Sequence, residues 1–163
     1  MKRWHYILGG LALVLMAIQF IPTDLPPSSN ENAGDIIKSG IVSQDVATLL
    51  KTSCYSCHSN ETKYPWYSYV APSSWLVAHD VSEAREELNF SMWLDYDTSK
   101  MLSKLDDMTS EVGEGHMPLP IYTLMHPSAK LNDAQRELIV AWAEATMDVV
   151  SGDEEDEEEE EQE

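Results

Sequence analysis

Only two cysteines stand in 163 residues, and both fall in one pentapeptide, Cys54-Tyr55-Ser56-Cys57-His58. With no third thiol in the chain, a disulfide framework is excluded and the two sulfurs are committed locally. Basic residues are also scarce, ten Lys and Arg against 29 Asp and Glu, for a formal net charge of -19. Nucleic-acid affinity rests on cations that displace counterions from phosphates, so nucleic acid is excluded as a partner. Nowhere do apolar and polar residues alternate with a period of two over a useful length, which argues against strands. No internal repeat is visible, and 163 residues do not fill two ordinary cores.

Charge is unevenly placed. Ten acids lie between Asp153 and Glu163, leaving 19 acids against ten bases in the rest. Residues 151–163 therefore read as an acidic, disordered tail that has no apolar surface to bury.

At the other end Lys2 and Arg3 precede an uncharged run from Trp4 to Ile21, which as a helix rises about 27 Å. Residues 1–21 are expected to form an N-terminal transmembrane helix, with Trp4 and Tyr6 at the interface, Lys2 and Arg3 on the cytoplasmic side, and everything after Pro22 exported. Ile7 to Ile18 also fits the core of a cleaved signal peptide, but bulky Gln19-Phe20-Ile21 stands where a small-x-small cleavage site belongs, so an uncleaved anchor is favoured. Residues 22–34, rich in Pro, Ser and Asn, read as a flexible tether.

The body, 35–150, is expected to be mostly α. Four helices are expected. The first covers Ser43 to Lys51 with Ser43 as N-cap, and the second Ser73 or Ser74 to about Leu88, with Trp75, Ala78, His79, Ser82 and Arg85 on one stripe. The third covers about Thr98 to Val112, and the last is capped by Asn132 with Gln135 in capping-box spacing. Leu138, Ile139, Trp142, Ala145 and Val149 would form the last helix's buried stripe, and Gly152 its end.

Two thiols three residues apart can add across the two vinyl groups of a porphyrin, and an imidazole next to the second thiol then lies beneath the iron. Cys54 and Cys57 are accordingly expected to attach one haem c covalently, with His58 as proximal ligand. A redox-active dithiol is disfavoured because no βαβ pattern surrounds the motif, and a zinc site would need His79, His116 or His126 as a fourth ligand without finger-like spacing.

A ligand for the opposite face of the iron is expected from a loop ahead of the last helix, where Met117 stands in Gly115-His116-Met117-Pro118-Leu119-Pro120. His116 is its nearest rival, followed by His79 and His126. Met92, Met101, Met108, Met125 and Met147 read as packing material. Trp66, Trp75 and Arg85 are candidates to wall the haem and to donate to its propionates.

Further residues carry a resemblance. Cys54 to Thr62 followed by Pro65-Trp66-Tyr67, then Trp75, His79 and Arg85 leading into Leu88-Asn89-Phe90-Ser91 and Trp93, then Met117-Pro118 with Tyr122, and His126-Pro127 with Ala129-Lys130-Leu131 and Trp142, resemble a bacterial family of small haem-binding domains. The resemblance covers roughly Asp35 to Met147. It implies a small cytochrome c-like helical domain around one covalent haem, with Cys54, Cys57 and His58 in the roles given above and Met117 supported by analogy with cytochrome c. His116 departs from the pattern, since an acid more often precedes the methionine there.

The family is usually exported behind an N-terminal apolar segment. A bacterial inner-membrane location is expected, single-pass with the haem domain in the periplasm, or free in the periplasm if the segment is cleaved. The expected function is electron transfer by a carrier that is no enzyme, between redox partner proteins that present a basic docking face to this acidic surface. The alternative is a haem-based ligand sensor or small peroxidase-like catalyst with a labile sixth ligand.

Overall fold

In the computed structural model the described residues are 2–160, with side chains placed for 3–152. They form seven α-helices with no strand among them, α1 (Lys2–Ile18), α2 (Gln44–Ser53), α3 (Tyr55–His58), α4 (Ser73–Glu87), α5 (Thr98–Gly113), α6 (Pro120–Met125) and α7 (Asp133–Glu160). Three 3-10 turns, Trp66–Tyr69, Phe90–Asp95 and Pro127–Ala129, complete the chain. The architecture is mostly α, as the periodicity suggests.

Side-chain caps mark three of the four helices expected from the sequence. Ser43 Oγ accepts from Val46 N at 3.4 Å to start α2, and Asp97 Oδ1 accepts from Lys100 N at 2.7 Å to start α5. Asn132 and Gln135 exchange hydrogen bonds at 2.9 Å in a reciprocal capping box ahead of α7. α4 starts without a side-chain cap after Pro72.

The anchor segment departs from expectation. α1 is 17 residues, about 25 Å, and stops at Ile18 rather than Ile21. Gln19, Phe20 and Ile21 then close i to i−3 bonds at 3.2 Å each, because Pro22 disfavours helical backbone in the residue before it. Among the described residues no helix is long and apolar enough to cross a membrane.

Residues 22–34 are not a loose tether. Tyr64 Oη donates to Pro26 O at 2.6 Å, Arg85 Nη1 to Pro27 O at 2.8 Å, and Ser28 Oγ to Thr62 O at 2.8 Å. Extended Pro-rich backbone makes no internal hydrogen bonds, so its carbonyls are free to accept from the domain. Asn32 is buried as a result.

The core joins α2, α5 and α7 to the 3-10 turn Phe90–Asp95, with Ile36, Leu50, Phe90, Trp93, Leu105 and Ile139 buried. The face of α7 is rotated from the expected stripe: Ile139, Ala143 and Thr146 are buried, while Leu138 and Val149 are exposed. Trp142 sits at the edge, its Nε1 donating to Ile41 O at 3.1 Å. α4 is rotated too, with Ser74 and Val81 inward and His79 outward. Met101, Met108 and Met147 pack against the core, but Met92 and Met125 are exposed.

α7 continues past Gly152 to Glu160, since one helical glycine costs only about 1 kcal/mol and glutamate is a good helix former. The side chains from Asp153 onward, and residues 161–163 altogether, lie outside the described residues. Ile139, 0% exposed at the α5 contact, sets a stability test. Ile139→Ala is expected to cost about 2–5 kcal/mol in denaturant unfolding; a loss below about 1 kcal/mol would contradict this packing.

Candidate functional site

Cys54 ends α2, its N–H donating to Leu50 O at 2.9 Å, and its own carbonyl accepts from Cys57 N at 3.1 Å and His58 N at 2.9 Å. One carbonyl thus winds the pentapeptide into the single turn of α3. Cys54 and His58, four residues apart, face one cavity of about 470 Å³, while Ser56 and Cys57 face a second of about 490 Å³. Burial, then the neighbouring Cys57, pushes the Cys54 thiol up to about 12. Burial, then Asp80, pushes Cys57 up to about 11 against the lowering effect of Arg85.

Both sulfurs are therefore neutral thiols near pH 7, unlike the activated thiolates of dithiol oxidoreductases. Among the described residues no group of three His, Cys, Asp or Glu side chains is placed to hold a metal ion.

His58 is fixed through one nitrogen. Its Nδ1 lies 3.0 Å from Ala84 O and 3.1 Å from Leu88 O, carbonyls at the C-terminal end of α4. Carbonyls only accept, so Nδ1 carries the proton and Nε2 keeps its lone pair. Burial lowers the pKa of the ring, outweighing the raising effect of those carbonyls, and favours the neutral form. The N–H of a metal-bound imidazole is held in the same way, by a carbonyl behind it.

Met117 borders the cavity that His58 faces and packs against the core. Its loop leaves α5 through Gly115, whose φ of 81° a side chain would strain. Met117 N then donates to Glu111 O at 3.0 Å, and Arg136 Nη1 donates to Met117 O at 2.9 Å.

The rival histidines lie elsewhere. His116 is 62% exposed and its Nδ1 sits 3.5 Å from Glu111 and 3.7 Å from Glu114. His79 is exposed on α4, 3.5 Å from Glu83. His126 accepts from or donates to Tyr67 Oη at 2.6 Å, stacks on Tyr122 at 4.5 Å between centroids, and borders the second cavity.

The proposed propionate partners are dispersed. Trp66 is exposed at the rim of the second cavity, while Trp75 and Arg85 line neither cavity. Arg85 clamps Pro27 O and Thr62 Oγ1, yet its Nε and the Trp75 Nε1 are buried donors with no partner. The cation that borders the His58 cavity is Lys104, 16% exposed and held between Glu87 at 3.6 Å and Asp107 at 3.7 Å. Nothing in the sequence distinguishes it from other lysines of a polar helix face. The Ala84 and Leu88 carbonyls were equally invisible, since a backbone acceptor leaves no residue signature.

The donor set fits haem: one imidazole with a free lone pair, one thioether bordering the same cavity, and two neutral thiols on a shared turn. The residues around that turn interlock. Asn60 N donates to Ser91 Oγ at 3.0 Å, Asn89 Nδ2 to Asn60 Oδ1 at 2.9 Å, and Ser59 Oγ to Tyr55 O at 2.7 Å. No curated protein and no solved structure matches the chain. The profile of one family does match, that of the haem-binding domain, over residues 13–145, which takes in the pinned segment 22–34 as well as the helical body. With that profile over most of its length, and with an imidazole, a thioether and two thiols gathered around α3, the chain belongs to the haem-binding domain family.

Proposed function

We propose that the protein is a monohaem c-type cytochrome, an electron carrier rather than an enzyme. In this reading Cys54 and Cys57 hold the haem by thioether bonds, His58 and Met117 ligate its iron, and α1 keeps the domain at the periplasmic side of a bacterial inner membrane. The observation that carries it is the tautomer of His58, whose Nδ1 is spent on Ala84 O and Leu88 O while Nε2 keeps its lone pair, in a residue that lines the same cavity as Met117. A haem iron with imidazole and thioether ligands supplies one-electron redox chemistry at a raised potential. The protein's own residues supply the rest. The α4 carbonyls orient the imidazole and burial favours its neutral form, Gly115 and Arg136 set the methionine loop, and the interlocked Asn60, Asn89 and Ser91 tie the segment after α3 to the turn after α4.

If His58 and Met117 both held the iron, no coordination site would remain for a substrate, which favours electron transfer over ligand sensing. The acidic body calls for a partner with a basic docking face, and such encounters are steered by charge. The reduced full-length protein is expected not to bind carbon monoxide, and its electron exchange with a cationic partner to slow steeply as salt rises. Rapid carbon monoxide binding would transfer the chain to the sensor class, and an exchange rate indifferent to salt would remove the basic-partner reading.

A further inference from the structure

Two charge-free stretches stand out in a chain with 24% charged residues. Tyr64 to Ala78 contains no charged residue, and Met117 to Ala129 contains no Asp, Glu, Lys or Arg. Far apart in sequence, they meet around the second cavity, which is bordered by Trp66 and Leu76 from the first and by Ile121, Leu124 and Met125 from the second. Their side chains reach outward: Trp66 is 75% exposed, Tyr69 68% and Leu124 77%. Lys63 and Asp80 bring the only fixed charges to the cavity's lining.

This rim also roots α1. Gln19 Nε2 donates to Ala71 O at 2.9 Å while Ala71 N donates to Gln19 Oε1 at 3.0 Å, and Thr23 Oγ1 lies 3.0 Å from Ser74 Oγ. The apolar side chains of α1 are exposed, including Leu11, Leu13 and Val14, so the helix does not fold back over the rim. Among the described residues nothing covers these apolar side chains, and α1 inserted in lipid would put the face at its root where the bilayer ends. Tryptophan and tyrosine at such a position suit the headgroup level, with an apolar body and one polar tip. The charge balance points the same way, since anionic lipid repels an acidic body least across a face where Asp80 is the one lining carboxylate and Lys63 offsets it.

Resting on the proposed attachment through α1, we propose that the cavity rim of Trp66, Ile121, Leu124 and Met125, with exposed Tyr69 and Val70 of the same charge-free stretch, docks on the lipid surface itself. The haem domain then lies against the bilayer in one orientation, with the Cys57 side toward lipid and the α5–α7 side toward water. The contact is apolar, so added salt leaves it intact, in contrast to the encounter with a redox partner.

The test uses the full holoprotein on vesicles of phosphatidylcholine and phosphatidylglycerol whose lipids carry a shallow photoreactive diazirine, with peptide mapping of the adducts. Adducts are expected on α1 and on both rim segments, several-fold above those on Met92 and Leu94, exposed apolar residues of a 3-10 turn outside the rim. Tyr69→Glu combined with Leu124→Glu, both at exposed positions, should abolish the rim adducts and leave those on α1. Adducts on α1 without the rim would overturn the docking surface while leaving membrane attachment standing. Adducts on neither would remove both. Protection of the rim from hydroxyl-radical oxidation without vesicles, rising with protein concentration, would assign the face to a second copy of the chain and overturn lipid docking.

Discussion

Serine at both Cys54 and Cys57 is expected to abolish haem that survives denaturing electrophoresis, while each single replacement retains a reduced amount on its remaining bond. The effect is complete rather than graded because the chain has no other cysteine. The variant is a fair test of attachment rather than of folding. Burial holds the Cys54 thiol up to about 12 and the Cys57 thiol up to about 11, so serine replaces a neutral group by another of similar size. Neither sulfur closes a disulfide that folding relies on. The turn of α3 is wound by the Cys54 carbonyl, which the substitution leaves in place. His58 and Met117 also remain, so the double variant is expected to take up haem under native conditions and to lose it in denaturant. A haem stain that persists in the double variant would falsify covalent attachment at these sulfurs. A variant that binds no haem even under native conditions would show that His58 and Met117 alone cannot hold it.

Several elements were legible because their signals are local. Ser43 and the Asn132–Gln135 pair announce helix starts through side chains one turn from the backbone they cap, whereas the Asp97 cap of α5 went unread. The placement of Cys54, Cys57 and His58 on one turn was legible because it depends on spacing within that turn. The face that a helix buries is a different kind of quantity. α7 turns Ile139 and Ala143 inward because its partner is α5, and no property of α7 alone specifies that rotation. α6 lacks any buried side chain and so any periodic apolar stripe, which left Pro120–Met125 indistinguishable from a loop.

The segment 22–34 was misread for a related reason. Its composition describes a chain without a core of its own, and the partners that pin it, Tyr64, Arg85 and Ser74, lie 38, 58 and 51 residues away in sequence. Around the cavity, side chains could be singled out from the sequence and backbone acceptors could not. Met117 stood out by its Pro-bounded loop, whereas the carbonyls of Ala84 and Leu88 became visible only once α4 was seen to end against His58.

Met117→Ala is expected to change the character of the iron site altogether, with loss of the sulfur-to-iron charge-transfer band, a lower reduction potential and carbon monoxide binding in the reduced protein. His116→Ala should change none of these, because that ring is exposed and held by Glu111 and Glu114. The contrast is informative because the two residues are adjacent and differ in what they face. A further variant separates the ligand from the support of its loop. Arg136 Nη1 donates to the carbonyls of Met117 at 2.9 Å and Val112 at 3.2 Å, so Arg136→Ala removes the brace without touching the sulfur. A thioether is a weak ligand that depends on being positioned, so this variant should keep the charge-transfer band at low temperature and lose part of it on warming, with carbon monoxide binding between that of the native protein and Met117→Ala. If Arg136→Ala behaved as the native protein at every temperature, the loop would need no brace and Met117 would be held by packing against the core alone. An unchanged spectrum in Met117→Ala would instead remove the thioether from the iron and direct attention to His126, whose ring borders the second cavity within 2.6 Å of Tyr67.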